Sequence, residues 1–280
     1  MEKNATILCP TDFSECSLNA IEYASKIGEQ YGAKLILIHV SNIEDFLKLN
    51  PGREENDYQR DFLKEKLNNL TKTVQAESIP LGLKSCEGMI LEGDVIEVIL
   101  NTIEETDCQL VVMGTEGMND LRKYIIGSRT SQIVDKSPVD ILVVPRKVFY
   151  KNPRKLVFGT DYREEDKIAI QKVVEFAKFF DAEIDIVHAS DGKKKLDRPL
   201  HQSMVEEIAP FVKYDKVNFV LKSFRDNLAL GMESYLTSAK GDMLITLSRQ
   251  RDFFEKIFNK SLSKKMAYFI TKPLWVIKNF

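Results

Sequence analysis

Apolar residues in this chain come in short dense runs, separated by longer stretches where they recur every three or four positions. ATILCP, AKLILIHV, DCQLVVMG and SPVDILVVP are runs of the first kind. Short apolar runs rich in Val, Ile and Leu and bounded by turn residues read as buried strands. Between the first two runs, Ala20, Ile21, Ala24 and Ile27 fall on one helical face. The pattern predicts strands over about 5–10, 33–40, 81–87, 109–113 and 140–144, and helices over about 15–31, 56–77, 93–105 and 127–136. Strands alternating with helices imply βαβ units and a parallel sheet. Right-handed crossovers then make the layers doubly wound.

The pattern occurs twice. KLVFGTDYR from position 155 repeats ATILCPTDFS, and the pair Thr160-Asp161 matches Thr11-Asp12. AEIDIVHAS repeats AKLILIHVS, which places His188 at the position of His39. KGDMLITL matches DCQLVVMG, and ITKPLWVIK matches SPVDILVVP. In the second copy Ile168, Ile170, Val173, Val174, Phe176 and Ala177 are expected on one helical face. The offset is about 149 residues at the start and about 133 at the end, so the second copy is shorter around its second helix. The expected domains are 1–147 and 151–280, joined through the charged, proline-bearing stretch PRKVFYKNPRK.

Composition narrows the class. A 44% hydrophobic and 29% charged chain of 280 residues supports real cores in one large or two ordinary domains. A net charge of -2 gives no bulk attraction to nucleic acid or acidic membranes. No apolar run approaches the roughly 18 residues that span a bilayer. MEKNATILCPTDFS carries no apolar signal region, so a cytoplasmic location is expected. Cys9, Cys16, Cys86 and Cys108 form no CxxC pair, and no His cluster accompanies them. Buried free thiols are expected rather than a zinc site.

Candidate chemistry lies at the carboxyl ends of the strands, where ligands bind in open α/β sheets. The loop after the first strand holds Pro10, Thr11 and Asp12, and the second strand ends at His39 and Val40. After the fourth strand comes GTEGMNDLRKYIIGS, which places Met113, Gly114, Gly117, Gly127, Ser128 and Arg129 in one segment. Glycines there let backbone approach a ligand and allow positive φ. Gly127 and Ser128 stand at a predicted helix start, where free N–H groups and the dipole favour an anion. Asp12 is an acceptor for ribose or amine donors. On spacing alone a phosphate cradle and an ordinary surface loop both remain open, with Ser128 then a plain helix cap. Neither GxxxxGK[ST] nor GxGxxG is present.

The pattern G-x2-G-x9-G-[ST], between VVMG and SPVDILVVP, resembles the universal stress protein family, as do PTDFSECSLNAIEYA and LILIHV. The resemblance covers nearly the whole chain as two tandem copies. It implies two five-stranded parallel sheets of order 3-2-1-4-5, similar to adenine nucleotide alpha hydrolases. It further implies that they pack as a pseudo-twofold intramolecular dimer through their fifth strands, with a further homodimer possible. Family members with this motif bind ATP, so ATP with Mg²⁺ is the implied ligand. Asp12 and Val40 would contact adenine or ribose, and Pro10 and Thr11 would shape that loop. Gly114, Gly117, Gly127 and Ser128, with Arg129, would hold phosphates.

The second copy departs from the motif. Leu247 stands at Gly114, Gln250 at Gly117, Lys260 at Gly127, and Ser261 keeps the place of Ser128. Gly159 replaces Pro10 and Ala189 replaces Val40. The second copy is therefore expected to serve a structural role without holding ATP in this way. Trp275 either lies at the seam between copies or packs on its own helices. No triad order involves His39 or His188, which read as strand-end residues near the clefts. His201 suggests nothing specific. SDGKKKLDR reads as an exposed loop, and GREENDYQRDFLKEKL as a solvated helix face. The function expected is regulatory nucleotide binding with unidentified protein partners. A slow ATPase or phosphotransferase and a ligand-free scaffold are the alternatives.

Overall fold

The structure is a computed structural model that describes residues 3–41, 57–115, 127–190, 197–224, 228–248 and 271–278. The chain divides into two compact units, Met1–Tyr150 and Lys151–Phe280.

In the first unit the strands are β1 (Thr6–Pro10), β2 (Lys34–Ser41), β3 (Ser85–Glu92), β4 (Cys108–Gly114) and β5 (Asp140–Val144). They form a parallel sheet in the order β3-β2-β1-β4-β5. The helices are α1 (Glu15–Tyr31), α2 (Asp57–Ser78), α3 (Val95–Glu105) and α4 (Ser128–Lys136). Ile7, Leu8, Leu35, Ile36, Leu37, Ile38, Val111 and Val112 are fully buried, because parallel strands with helices on both faces have no solvated side. The face predicted for α1 is buried at Ala20, Ile21, Ala24 and Ile27. Ser14 caps that helix by accepting from the Ser17 N–H, and Gly32 ends it in the left-handed region at φ 60°. On α2, Lys64, Glu65 and Lys66 are solvated, as expected of that charged stretch. All four cysteines are buried and free. Burial pushes the Cys86 and Cys108 thiols up to about 12 and moves Cys9 in the same direction, so these three are inert.

The second unit repeats the plan with β6 (Lys155–Thr160), β7 (Glu183–Ser190), β8 (Val217–Ser223), β9 (Met243–Ser248) and β10 (Leu274–Lys278). Its strands are all parallel in the order β8-β7-β6-β9-β10. Its described helices are α5 (Asp166–Phe180), α6 (Asp197–Ile208) and α7 (Leu228–Ser238). The repeat extends to backbone detail. Asp181 ends α5 at φ 53°, at the position of Gly32, and Lys240 at φ 56° matches Asp107 at φ 49°. Trp275 packs against Phe176 of its own unit, with ring centroids 5.2 Å apart.

Two expectations are corrected. Ile168 is 61% exposed, because it falls on the side of α5 opposite the buried Ile170, Val173, Val174 and Ala177. Strand β3 begins at Ser85 rather than near 81. Pro80 starts a short 3₁₀ turn at Ile79–Leu81, and Gly82 follows at φ 120°, which an extended strand cannot contain.

Candidate nucleotide cleft

In the first unit the strand order reverses between β1 and β4, and a cleft lies at their carboxyl ends. Pro10, Thr11 and Asp12 from the β1 loop, Val40 from β2, Met113 and Gly114 from β4 and Arg129 from α4 all line it. Seven residues chosen from distant stretches of sequence therefore meet in one place. Gly127 and Ser128 adjoin it as the N-cap and first residue of α4. Gly117 lies outside the described residues, as do Gln250, Lys260 and Ser261 of the second unit and the stretches 42–56 and 191–196. The cleft also takes in Ser17, Ile38, His39, Val95, Ile99, Thr130 and Ile133. The apolar members gave no separate signal, because a residue that walls a cleft has the same pattern as one that fills a core.

The β1 loop is held by side chains. The Thr11 N–H donates to the Ile38 carbonyl at 2.8 Å, which continues the β1–β2 ladder by one bond. Thr11 Oγ1 accepts the Phe13 N–H at 3.0 Å, and Phe13 sits in the left-handed region at φ 61°. Such a conformation persists in a bulky residue only when its surroundings over-determine it. His39 supplies a further restraint, since its Nδ1 lies 2.8 Å from the Thr11 carbonyl. A carbonyl only accepts, so Nδ1 carries the proton. The Phe13 ring leans on His39 at 4.8 Å, with Lys66 Nζ 4.6 Å from its centre on the other contact. Asp12 Oδ1 accepts from the Ser14 N–H at 3.0 Å and from Ser14 Oγ at 2.6 Å. One carboxylate oxygen is thus tied to its own loop, which orients the other.

The far wall is pinned in the same manner. The Gly127 N–H donates to the Thr115 carbonyl at 2.6 Å, and the Thr115 N–H donates to Val144 at 3.1 Å. Thr130 Oγ1 donates to the Gly114 carbonyl at 3.0 Å, which ties the first turn of α4 to the end of β4. Thr115 and Gly127 are therefore held to each other, and Thr115 to β5, by backbone hydrogen bonds.

Two readings of the glycine motif change. Gly114 is not in the positive-φ region. A Cβ there would lie 2.6 Å from Cys16 Sγ and 3.1 Å from the Cys16 carbonyl carbon and oxygen. What Gly114 admits closely is α1, not primarily a ligand. Ser128 does not cap α4, because the N-cap is Gly127, with φ -61° and ψ 156°, and no side chain bonds there.

The equivalent corner of the second unit keeps the loop and changes its chemistry. Thr160 Oγ1 accepts the Tyr162 N–H at 3.0 Å, and Tyr162 has φ 59°. His188 Nδ1 donates to the Thr160 carbonyl at 2.9 Å, and its ring stacks on Tyr162 at 4.2 Å. His201 joins this corner, because its Nδ1 and the Tyr162 hydroxyl share a hydrogen bond. The partner is 39 residues away in sequence, so His201 gave no local signal. Here the ladder runs on to Thr160↔His188, whereas in the first unit it stops at Pro10↔Ile38. Helix α5 starts two residues later than α1 relative to the repeat, and Leu247 is buried at the place of Gly114. The close approach that Gly114 allows has no counterpart there.

A doubly wound parallel sheet with a cleft at its switch point places this chain among the open-sheet α/β proteins. The family model for the universal stress protein family matches residues 3–145, and the chain belongs to that family. Universal stress protein MJ0531 of Methanocaldococcus jannaschii is 30% identical over 149 residues, covering 53% of this chain and 83% of that protein. Universal stress protein MJ0577 of the same organism is 28% identical over 154 residues, covering 50% and 94%. A crystal structure of a universal stress protein from Archaeoglobus fulgidus has the same fold over 99% of this chain and 97% of its own, with a TM-score of 0.72 at 19% identity. No helix among the described residues is long and apolar enough to cross a membrane.

Proposed function

We propose that the first unit binds ATP and that the protein acts as a regulatory stress protein rather than an enzyme. One observation carries the reading: the loop Pro10–Asp12, the strand ends Val40 and Met113–Gly114, and Arg129 of α4 line a single cleft. Ile38, Val40, Val95, Ile99, Met113 and Ile133 supply an apolar wall suited to a purine face. Asp12, an acceptor on the cleft wall, suits a ribose hydroxyl or an exocyclic amine. The first turn of α4, with Gly127, Ser128, Arg129 and Thr130, suits phosphate through its N–H groups and dipole. The motif assigns Gly117 to the same end.

Among the described residues no group of three or more His, Cys, Asp or Glu side chains could hold a metal ion. In this reading Mg²⁺ arrives on the phosphate oxygens and screens their charge. The second unit, residues 151–280, has a structural role and takes no ATP in this way. A cytoplasmic location accords with both assignments.

Calorimetric titration of Mg·ATP into the full chain is expected to give one site per chain. Gly127→Val is the informative variant, because φ -61° is open to any residue while its side chain would crowd the phosphate end. Its affinity is expected to fall at least ~10-fold, or ~1.4 kcal/mol. Absence of binding at about 1 mM nucleotide overturns the reading. Gly114→Val does not serve, since its clash with Cys16 arises without ligand.

A further inference from the structure

The buried first-turn position of the helix after the first strand differs between the two units in charge. In the first unit it is Ser17, which lines the cleft. Its hydroxyl shares a 3.0 Å bond with Thr11 Oγ1 and donates to the Ser14 carbonyl at 3.0 Å. The acidic residue of that turn, Glu15, is exposed and pairs with Arg146 at 2.9 Å. Asp12 is the carboxylate on the loop itself, and its Oδ1 is taken up by Ser14. The buried first-turn residue of α1 is thus a neutral hydroxyl, and the carboxylate at that helix start is Asp12 of the loop, bonded to the half-buried cap Ser14.

In the second unit the same position is Asp166, which is 1% exposed. Its Oδ2 accepts from Thr160 Oγ1 at 2.6 Å, from the Asp161 N–H at 3.2 Å and from the Arg163 N–H at 3.1 Å. The left-handed turn beside it is unchanged, at φ 59° for Tyr162 against 61° for Phe13. One loop geometry therefore accommodates either a hydroxyl or a carboxylate at its base. The carboxylate consumes donors at the helix start and sets a negative charge against its dipole.

We propose that position 17 determines the charge selectivity of the cleft: Ser17 admits an anionic ligand, and a carboxylate at that position excludes it. Asp166 then bars a nucleotide from the second cleft, alongside the loss of Gly114's counterpart. The proposal rests on the nucleotide reading of the first cleft. At an effective dielectric constant near ~20, a carboxylate added to the wall of this cleft is expected to weaken binding of an anion by ~10-fold or more.

The test titrates Mg·ATP and adenosine separately into the full-length wild type, Ser17→Asp and Ser17→Ala, with circular dichroism melts of each. Ser17→Asp is expected to bind Mg·ATP at least ~10-fold more weakly yet bind adenosine within about threefold of wild type. Ser17→Ala is expected to change the two affinities by equal factors, because it introduces no charge that would distinguish Mg·ATP from adenosine. Equal loss of both ligands in Ser17→Asp overturns charge selectivity in favour of shape. Wild-type Mg·ATP affinity in that variant, or an alanine variant as weak as the aspartate, overturns it too. So does a Ser17→Asp chain that fails to fold, since the second unit holds a carboxylate at this position. If wild type binds neither ligand, the nucleotide reading falls and this proposal falls with it; a wild type that binds while Ser17→Asp is unaffected removes this proposal alone.

Discussion

Gly114 illustrates how a residue chosen for one reason is required for another. Its spacing from Gly117 and Gly127 marks a phosphate motif, but its missing Cβ is needed by Cys16. Adding a methyl to a packed contact costs about 1–3 kcal/mol. Gly114→Ala is therefore expected to lower stability by about that amount in urea titration, with no nucleotide present. Cys16→Ala in the same chain should recover part of the loss, since it removes Sγ but leaves the 3.1 Å contacts to its carbonyl group. Additive losses in that double mutant would contradict the assigned contact. His39 is the converse case. Its place beside the cleft is visible in the repeat with His188, but the tautomer is set by a carbonyl that only the folded loop presents.

At the scale of elements, most of the strands and helices follow from local pattern, and their exceptions have local causes. Pro80 and Gly82 delay β3, and one off-phase isoleucine misleads the face of α5. The start of β6 depends on a tertiary staple instead. Asp242, just before β9, accepts from the Arg154 N–H at 2.8 Å and the Lys155 N–H at 3.2 Å, and pairs with Lys151 Nζ at 2.5 Å. Burial raises its carboxyl, but the Lys151 ammonium and the two N–H donors outweigh this and hold it below its ordinary value of 3.8. A depressed folded-state carboxyl stabilises above the unfolded value and loses that contribution as pH falls through the folded one. Stability of the second unit is therefore expected to drop below about pH 4, and the drop should be shallower in Asp242→Asn. At pH 7 that variant is expected to cost about 1–3 kcal/mol, because the amide keeps one acceptor oxygen for the two N–H donors but loses the charge and the oxygen that face Lys151. Urea midpoints at pH 7 and pH 3 measure both effects.

At the scale of the molecule, one plan is built twice and the loops after β1 and β6 diverge in chemistry. If only the first unit binds nucleotide, Mg·ATP stabilises that unit by mass action and leaves the other unmoved. Hydrogen exchange with saturating Mg·ATP is expected to slow in β1, β4 and the first turn of α4, with no change in β6, β9 and α5. Equal protection of both units would contradict the division. The strand order of each sheet followed from the family resemblance, and the duplication was legible in the sequence, because hydrophobic period and turn residues act locally and recur in the second half. So was most of one cleft, because its polar members sit at predictable strand ends. What that pattern could not carry depends on residues far apart in the chain approaching one another. The Cys16–Gly114 contact, the Tyr162–His201 bond, the apolar wall from α3 and α4, and the exchange of a hydroxyl for a carboxylate beneath equivalent loops acquire meaning only through distance. Periodicity and local steric preference act between near neighbours in the chain, so they set the elements and their succession. Which glycine serves packing and which side chains line the first cleft follow from the fold alone, because burial and charge act through space rather than along the chain.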